Sequence, residues 1–127
     1  MGSLVRVLLG AGALLCLAGP ASADGDAAKG EKIFARCKAC HTLDPGVNKI
    51  GPSLAGVMGR RSGTVADFKY SDAMKSAGIV WDEETMDAYL ADPKGYIPGN
   101  KMAFAGLKKE DDREDVIAYI EENGGAQ

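Results

Sequence analysis

The sequence predicts a small all-α domain in which short helices are joined by long irregular loops. Three observations carry that expectation. Helical periodicity and capping residues recur in four short segments between Asp26 and Asn123. Between Thr42 and Gly63 the chain is punctuated by Pro45, Gly46, Gly51, Pro52, Gly56, Gly59 and Gly63, which leaves no room for a strand and little for a helix. A long irregular stretch in a compact domain needs something to wrap, and Cys37-Lys38-Ala39-Cys40-His41, the attachment signature of a c-type haem, names it. A chain of 127 residues is one domain's worth of sequence.

The N-terminus begins with Arg6 as its first charge, continues through an apolar run over Val7 to Ala18, and reaches Ala21-Ser22-Ala23. A positive start, an apolar core too short to span a bilayer and an Ala-x-Ala site predict a secretory signal peptide over 1–23, cleaved after Ala23. Leu15 is too large for the position before a lipoprotein cysteine, so Cys16 is expected to leave with the signal. The domain is then 24–127. Export suits the motif, because c-type haem is attached outside the cytoplasm. Maturation removes Arg6 and no acid, so the formal charge of −3 becomes more negative, against a general nucleic-acid binder.

Along the chain, the first helix is expected over Asp26 to Cys40, capped by Asp24 or Asp26, with Ile33 and Phe34 one turn before Cys37. A short helix follows over Ser71 to Ala77, with Ser71 or Asp72 as cap. The next, Asp82 to Ala91, has Asp82 as cap, Glu83 and Glu84 in the positive first turn and Met86, Tyr89 and Leu90 as its apolar stripe; Asp92-Pro93 stops it. The loop from Pro98 to Gly106 precedes a last helix from about Lys109 to Asn123, with Val116, Ile117 and Ile120 inward and Gly124 beyond its end.

One helical turn puts Cys37 and Cys40 on the same face, where each can form a thioether with a haem vinyl group, and directs His41 at the iron. A zinc site would need further ligands, yet His41 is the only histidine and the mature chain has no other cysteine. A thioredoxin-like motif would need a βαβ context that is missing. The second iron ligand cannot be a histidine, which leaves Met58, Met74, Met86 and Met102. Met86 and Met74 fall on helices, where packing explains them. Met58 lies close to His41 on a segment needed beside the proximal face. Met102 lies far along the chain in an open loop and is favoured. Thioether ligation raises the potential and closes the coordination sphere, so the site would pass electrons rather than rearrange a substrate.

An ordered set of short matches covers nearly all of the mature chain: Cys37 to Thr42, Gly51-Pro52-Ser53-Leu54, Gly59-Arg60, Phe68 to Ala73, Gly78-Ile79-Val80-Trp81, Tyr96 to Met102 and Ile117-Ala118-Tyr119. The chain thereby resembles the class I c-type cytochromes, close to mitochondrial cytochrome c and especially the bacterial periplasmic cytochrome c2 group. The resemblance implies the class I cytochrome c fold, with helices and loops wrapped around one covalent haem c. It implies Met102 as axial ligand and Pro52 as the carbonyl that accepts from the His41 imidazole. It also implies Arg60, Tyr70 and Trp81 as partners of the haem propionates, Tyr89 near the methionine sulfur and Phe104 at the haem edge. Arg36, Lys49, Lys94, Lys101, Lys108 and Lys109 match the basic ring where redox partners dock.

Three residues depart from the mitochondrial pattern. Met74 replaces a buried asparagine, Asn48 a histidine that bridges loops, and Asn100 a threonine that contacts a propionate and for which it could substitute as donor.

The implied function is that of a soluble one-electron carrier, not an enzyme, between a cytochrome bc1-type donor and an oxidase or photosynthetic reaction centre. It is expected in the periplasm as a monomer, with no nucleic-acid partner and no stable membrane insertion after cleavage. A peroxidase-like alternative would need an open distal position and a second acid–base group, for which no histidine is available. A tethered carrier would retain 1–23.

Overall fold

A computed structural model describes residues 25–125, together with 2, 10, 12 and 13. The expected signal segment and its cleavage point after Ala23 lie outside the described residues. Five helices are formed among the described residues: α1 (Ala27–Phe34), α2 (Asp72–Ser76), α3 (Glu83–Ala91), α4 (Pro93–Tyr96) and α5 (Glu110–Gly124). The described residues contain no strand, only an isolated antiparallel bridge between Arg61 and Val80.

Asp26 caps α1, its carboxylate accepting from the backbone N–H of Ala28 and Lys29. The helix is shorter than its sequence suggests. After Phe34 the chain turns, with Cys37 N–H donating to the Phe34 carbonyl at 2.7 Å and Cys40 N–H to the Cys37 carbonyl at 3.1 Å. No glycine or proline marks this change, so local propensity could not have shown it. Ser71 caps α2 through Met74 N–H, as expected. Asp82 and Thr85 form a reciprocal capping box at the start of α3.

Asp92-Pro93 does more than end α3. Asp92 also caps α4, accepting from Gly95 N–H at 3.1 Å, and Pro93 takes the first helical position, where its missing N–H costs nothing. No helix was expected over 93–96. α5 starts with Glu110, Asp111 and Asp112, whose charges oppose its positive end. It extends through Gly124, one residue beyond the expected end, and Gly125 at φ 72° terminates it.

α1 and α5 make the most extensive contact between helices. Phe34 stacks obliquely on Tyr119 with ring centroids 5.2 Å apart, and Asp26 N–H donates to the Asp115 carboxylate at 2.7 Å. Gly30 lies at the crossing: a Cβ there would overlap the Asp115 carbonyl and come within 2.9 Å of Tyr119 Cβ. Arg113 ties α5 to α3 through Asp87 at 2.7 Å and also donates to the Leu107 and Lys108 carbonyls. Val116, Ile117 and Ile120 face inward as predicted, joining Phe34, Val57, Trp81, Met86, Tyr89, Ile97 and Leu107 in one core.

The irregular stretch after His41 is held by its own polar groups. Asn48 donates to the Ala66 carbonyl at 3.2 Å and accepts from Ser53 N–H at 2.9 Å, so it bridges loops. Ser53, 3% exposed, donates to the Asp44 carbonyl. Such pairing lets a loop line a cavity without orphaned backbone groups.

The Asp82 cap carries a pH signature. Hydrogen bonds from Thr85 hold its carboxyl below the ordinary carboxylate value. Its contribution is therefore complete above the unfolded-state pKa and disappears as pH falls through the lower folded value. Thermal unfolding followed from neutral to acid pH should give a shallower acid decline for Asp82→Asn than for the unaltered protein. Identical slopes would show that the cap does not couple to acid stability.

Candidate functional site

A cavity of about 410 Å³ opens among the end of the α1 segment, the 50–57 loop, α2, α3 and the 101–104 loop. Cys37, Cys40, His41 and Met102 all line it, from opposite parts of the chain.

His41 is set by two neighbours. Its Nδ1 lies 2.7 Å from the Pro52 carbonyl oxygen. A carbonyl only accepts, so Nδ1 carries the proton and donates, leaving the Nε2 lone pair free for a metal. Gly51 lies against the ring, and a Cβ there would come within 2.7 Å of Nδ1. Burial lowers the imidazole pKa most strongly, nearby Arg60 lowers it further and the Pro52 bond opposes them; the balance favours the neutral, ligating form. Burial likewise pushes the Cys37 thiol up, away from the reactive thiolate of a redox dithiol.

Met102 is fixed at three points. Its N–H donates to the Asn100 side-chain oxygen at 2.9 Å, its carbonyl accepts from Phe104 N–H at 3.0 Å, and its sulfur is 3.8 Å from the Tyr89 hydroxyl. Tyr89 is buried beside Trp81, ring centroids 5.1 Å apart, and burial pushes its phenol up to about 12. It faces the cavity as a neutral donor.

Arg60, Tyr70, Trp81, Tyr89 and Phe104 also line the cavity, as the resemblance implied. Arg60 spends part of its fork on the Ser53 and Ala55 carbonyls, at 3.1 and 3.2 Å, which fixes its direction. Tyr70 accepts from Val65 N–H at 3.1 Å and keeps its own hydroxyl hydrogen to offer. Asn100 is placed differently. It is not part of the cavity lining, and its amide donates to the Pro93 and Ile97 carbonyls.

Sequence reasoning missed part of the wall. Met74 and Met86, read as packing, also line the cavity, with Leu54 and Val57. Their helical spacing signals a buried face but not what the face touches. Lys69 stands on the cavity wall and was not among the predicted docking cations. Of those six, all exposed, Arg36 and Lys101 line the cavity, while Lys49 donates to the Lys38 carbonyl at 2.8 Å. Lys94, Lys108 and Lys109 lie outside its lining. A second cleft, between α3 and α5, is walled by Glu83, Glu84, Asp87, Glu110, Glu114 and Glu121.

The residues fit a flat apolar macrocycle: two thiols for covalent attachment, an imidazole and a thioether for iron, aliphatic and aromatic walls, and Arg60, Tyr70 and Trp81 to meet acidic substituents. No group of three or more potential His, Cys, Asp or Glu metal ligands occurs among the described residues.

Comparison with known proteins agrees. The sequence profile of the cytochrome c family matches residues 27–123. Cytochrome c2 iso-2 of Magnetospirillum fulvum is 60% identical over 87 residues, covering 68% of this chain and 91% of that protein. Cytochrome c2 of Blastochloris viridis is 48% identical over 118 residues, 92% of each chain. The solved structure of cytochrome cH from Methylobacterium extorquens superposes with a TM-score of 0.73 at 46% identity, covering 77% of this chain and 99% of that one.

Proposed function

Because the chain belongs to the cytochrome c family, we propose that His41 and Met102 ligate the iron of its haem and that it shuttles single electrons between membrane complexes. It is an electron-transfer protein of the class I cytochrome c fold, carrying haem c through Cys37 and Cys40. The observation that carries the ligand reading is the meeting of His41 and Met102 in one cavity, each braced by a separate partner.

When bound, the haem supplies a one-electron ferric–ferrous couple. The chain does the rest. Pro52 holds the imidazole in its ligating tautomer, and Tyr89 and Asn100 hold the thioether loop. Ligands held this firmly before and after electron transfer need little rearrangement. The aliphatic wall excludes water, and Arg60 and Tyr70 offset the burial of carboxylates.

The donor in this reading is a cytochrome bc1-type complex, and the acceptor an oxidase or a photosynthetic reaction centre. The protein is a diffusing monomer, with 1–23 removed after Ala23, 24–127 forming the domain, and the periplasm its compartment. Similarity to cytochromes c2 supports this assignment. No helix among the described residues is long and apolar enough to cross a membrane.

Arg36, Lys49, Lys94, Lys101, Lys108 and Lys109 form the docking face, to which we add Lys69. Steering by such charge weakens with salt, because screening acts over about 10 Å at 0.1 M. A double Lys94→Glu, Lys101→Glu variant should be oxidised by the acceptor complex about tenfold more slowly at low salt, with the difference closing at high salt. Equal rates at low salt would place docking elsewhere.

A further inference from the structure

Asn100 reads, by resemblance, as a donor to a haem propionate. Its amide has other partners. The two side-chain N–H groups donate to the Pro93 carbonyl at 2.8 Å and the Ile97 carbonyl at 2.9 Å, and the side-chain oxygen accepts from Met102 N–H at 2.9 Å. Those are both donors and one lone pair, so neither amide hydrogen remains for a cofactor carboxylate. We propose that Asn100 is the positioning residue for Met102, clamping the loop that presents the thioether.

The argument follows the chain. α4 is a single turn ending at Tyr96, and isolated turns are marginal. Pro98 and Gly99 then reverse the chain, Gly99 at φ 89°, with Asn100 N–H returning to the Ile97 carbonyl at 3.2 Å. Three residues beyond the turn, the thioether must reach its position in an otherwise irregular loop. Asn100 joins the two halves. Its donors bind carbonyls of the α4 turn on one side, while its acceptor closes an Asx-type turn over Met102 on the other. The inference rests on Met102 being the axial ligand. It adds that the ligand's occupancy is set by a residue that touches neither the iron nor the sulfur.

The test uses the ferric holoprotein with imidazole as the competing ligand. Imidazole must displace the thioether, so its apparent affinity reports the fraction of molecules in which the loop has opened. Asn100→Ala removes all three bonds and should bind imidazole at least about tenfold more tightly. Asn100→Asp keeps the acceptor for Met102 N–H but has no donors and should fall between. Asn100→Thr, which retains one donor and one acceptor, should recover part of the loss. Asp26→Ala, which loosens the fold by uncapping α1, separates positioning from general destabilisation and should leave imidazole affinity unchanged.

An Asn100→Ala affinity equal to that of the unaltered protein, or no greater than that of Asp26→Ala, overturns the proposal. Absence of the near-infrared sulfur-to-iron band in the unaltered protein would instead overturn the methionine ligand itself. The two failures are therefore distinguishable.

Discussion

Ferric Met102→Ala protein is expected to lack the near-infrared sulfur-to-iron band expected of the unaltered protein, and its reduction potential should fall by at least about 0.1 V, a modest part of the ~0.8 V range that axial ligands cover. The reason is local. Met102 is the methionine held in place by three separate contacts, at its N–H, its carbonyl and its sulfur. Truncation removes the thioether and leaves the Tyr89 hydroxyl without its sulfur partner. Met74 and Met86 also face the cavity, so this is a choice among three thioethers. Were the band and potential to survive in Met102→Ala, one of those two would be the ligand, and the matching Met74→Ala or Met86→Ala variant would lose the band.

The second large effect lies at the helix crossing. Gly30→Val should destabilise the protein by about 3 kcal/mol, the upper part of the range for overpacking a tight contact. For a domain of this size that corresponds to a fall in Tm of roughly 10–20 °C. The Cβ would overlap a backbone carbonyl, that of Asp115, which cannot swing aside as the tip of a long side chain could. Gly30→Ala meets the same carbonyl, although about 1 kcal/mol of better helix propensity offsets part of the cost. Thermal or urea unfolding decides the matter. A Tm for Gly30→Val within a few degrees of the original would mean that α1 and α5 can separate without loss.

The attachment site was legible because its chemistry requires neighbours in sequence. Cys37, Cys40 and His41 advertise themselves by spacing, and a single histidine reduced the second ligand to a choice among methionines. The helices were legible through their caps: Asp26 and Ser71 are each one of the two candidates the sequence offered, and Asp82 caps where expected. Two boundaries were not. Phe34 ends α1 with no breaker in sight, and Asp92-Pro93 carries the signals for stopping one helix and starting the next. Asn100 shows a different limit. Resemblance suggested a donor to the cofactor, but the Pro93 and Ile97 carbonyls that take its hydrogens are recognisable as partners only once α4 is formed. Met74 and Lys69 face the cavity for the same kind of reason, since what a helical face or a loop cation meets is decided by the rest of the chain.

The pairing of α1 with α5 also sets a timetable. Asp26 finds Asp115, Gly30 finds Tyr119, and Phe34 finds the same tyrosine, so one half of the main helix contact is made first and the other last as the polypeptide is synthesised. Such distant pairing makes closure late. A ribosome adding some 5–20 residues each second leaves α1 waiting several seconds for its partner. During that interval Cys37 and Cys40 belong to an open chain. Closure of the main helix pair therefore waits on α5, which is made long after both thiols.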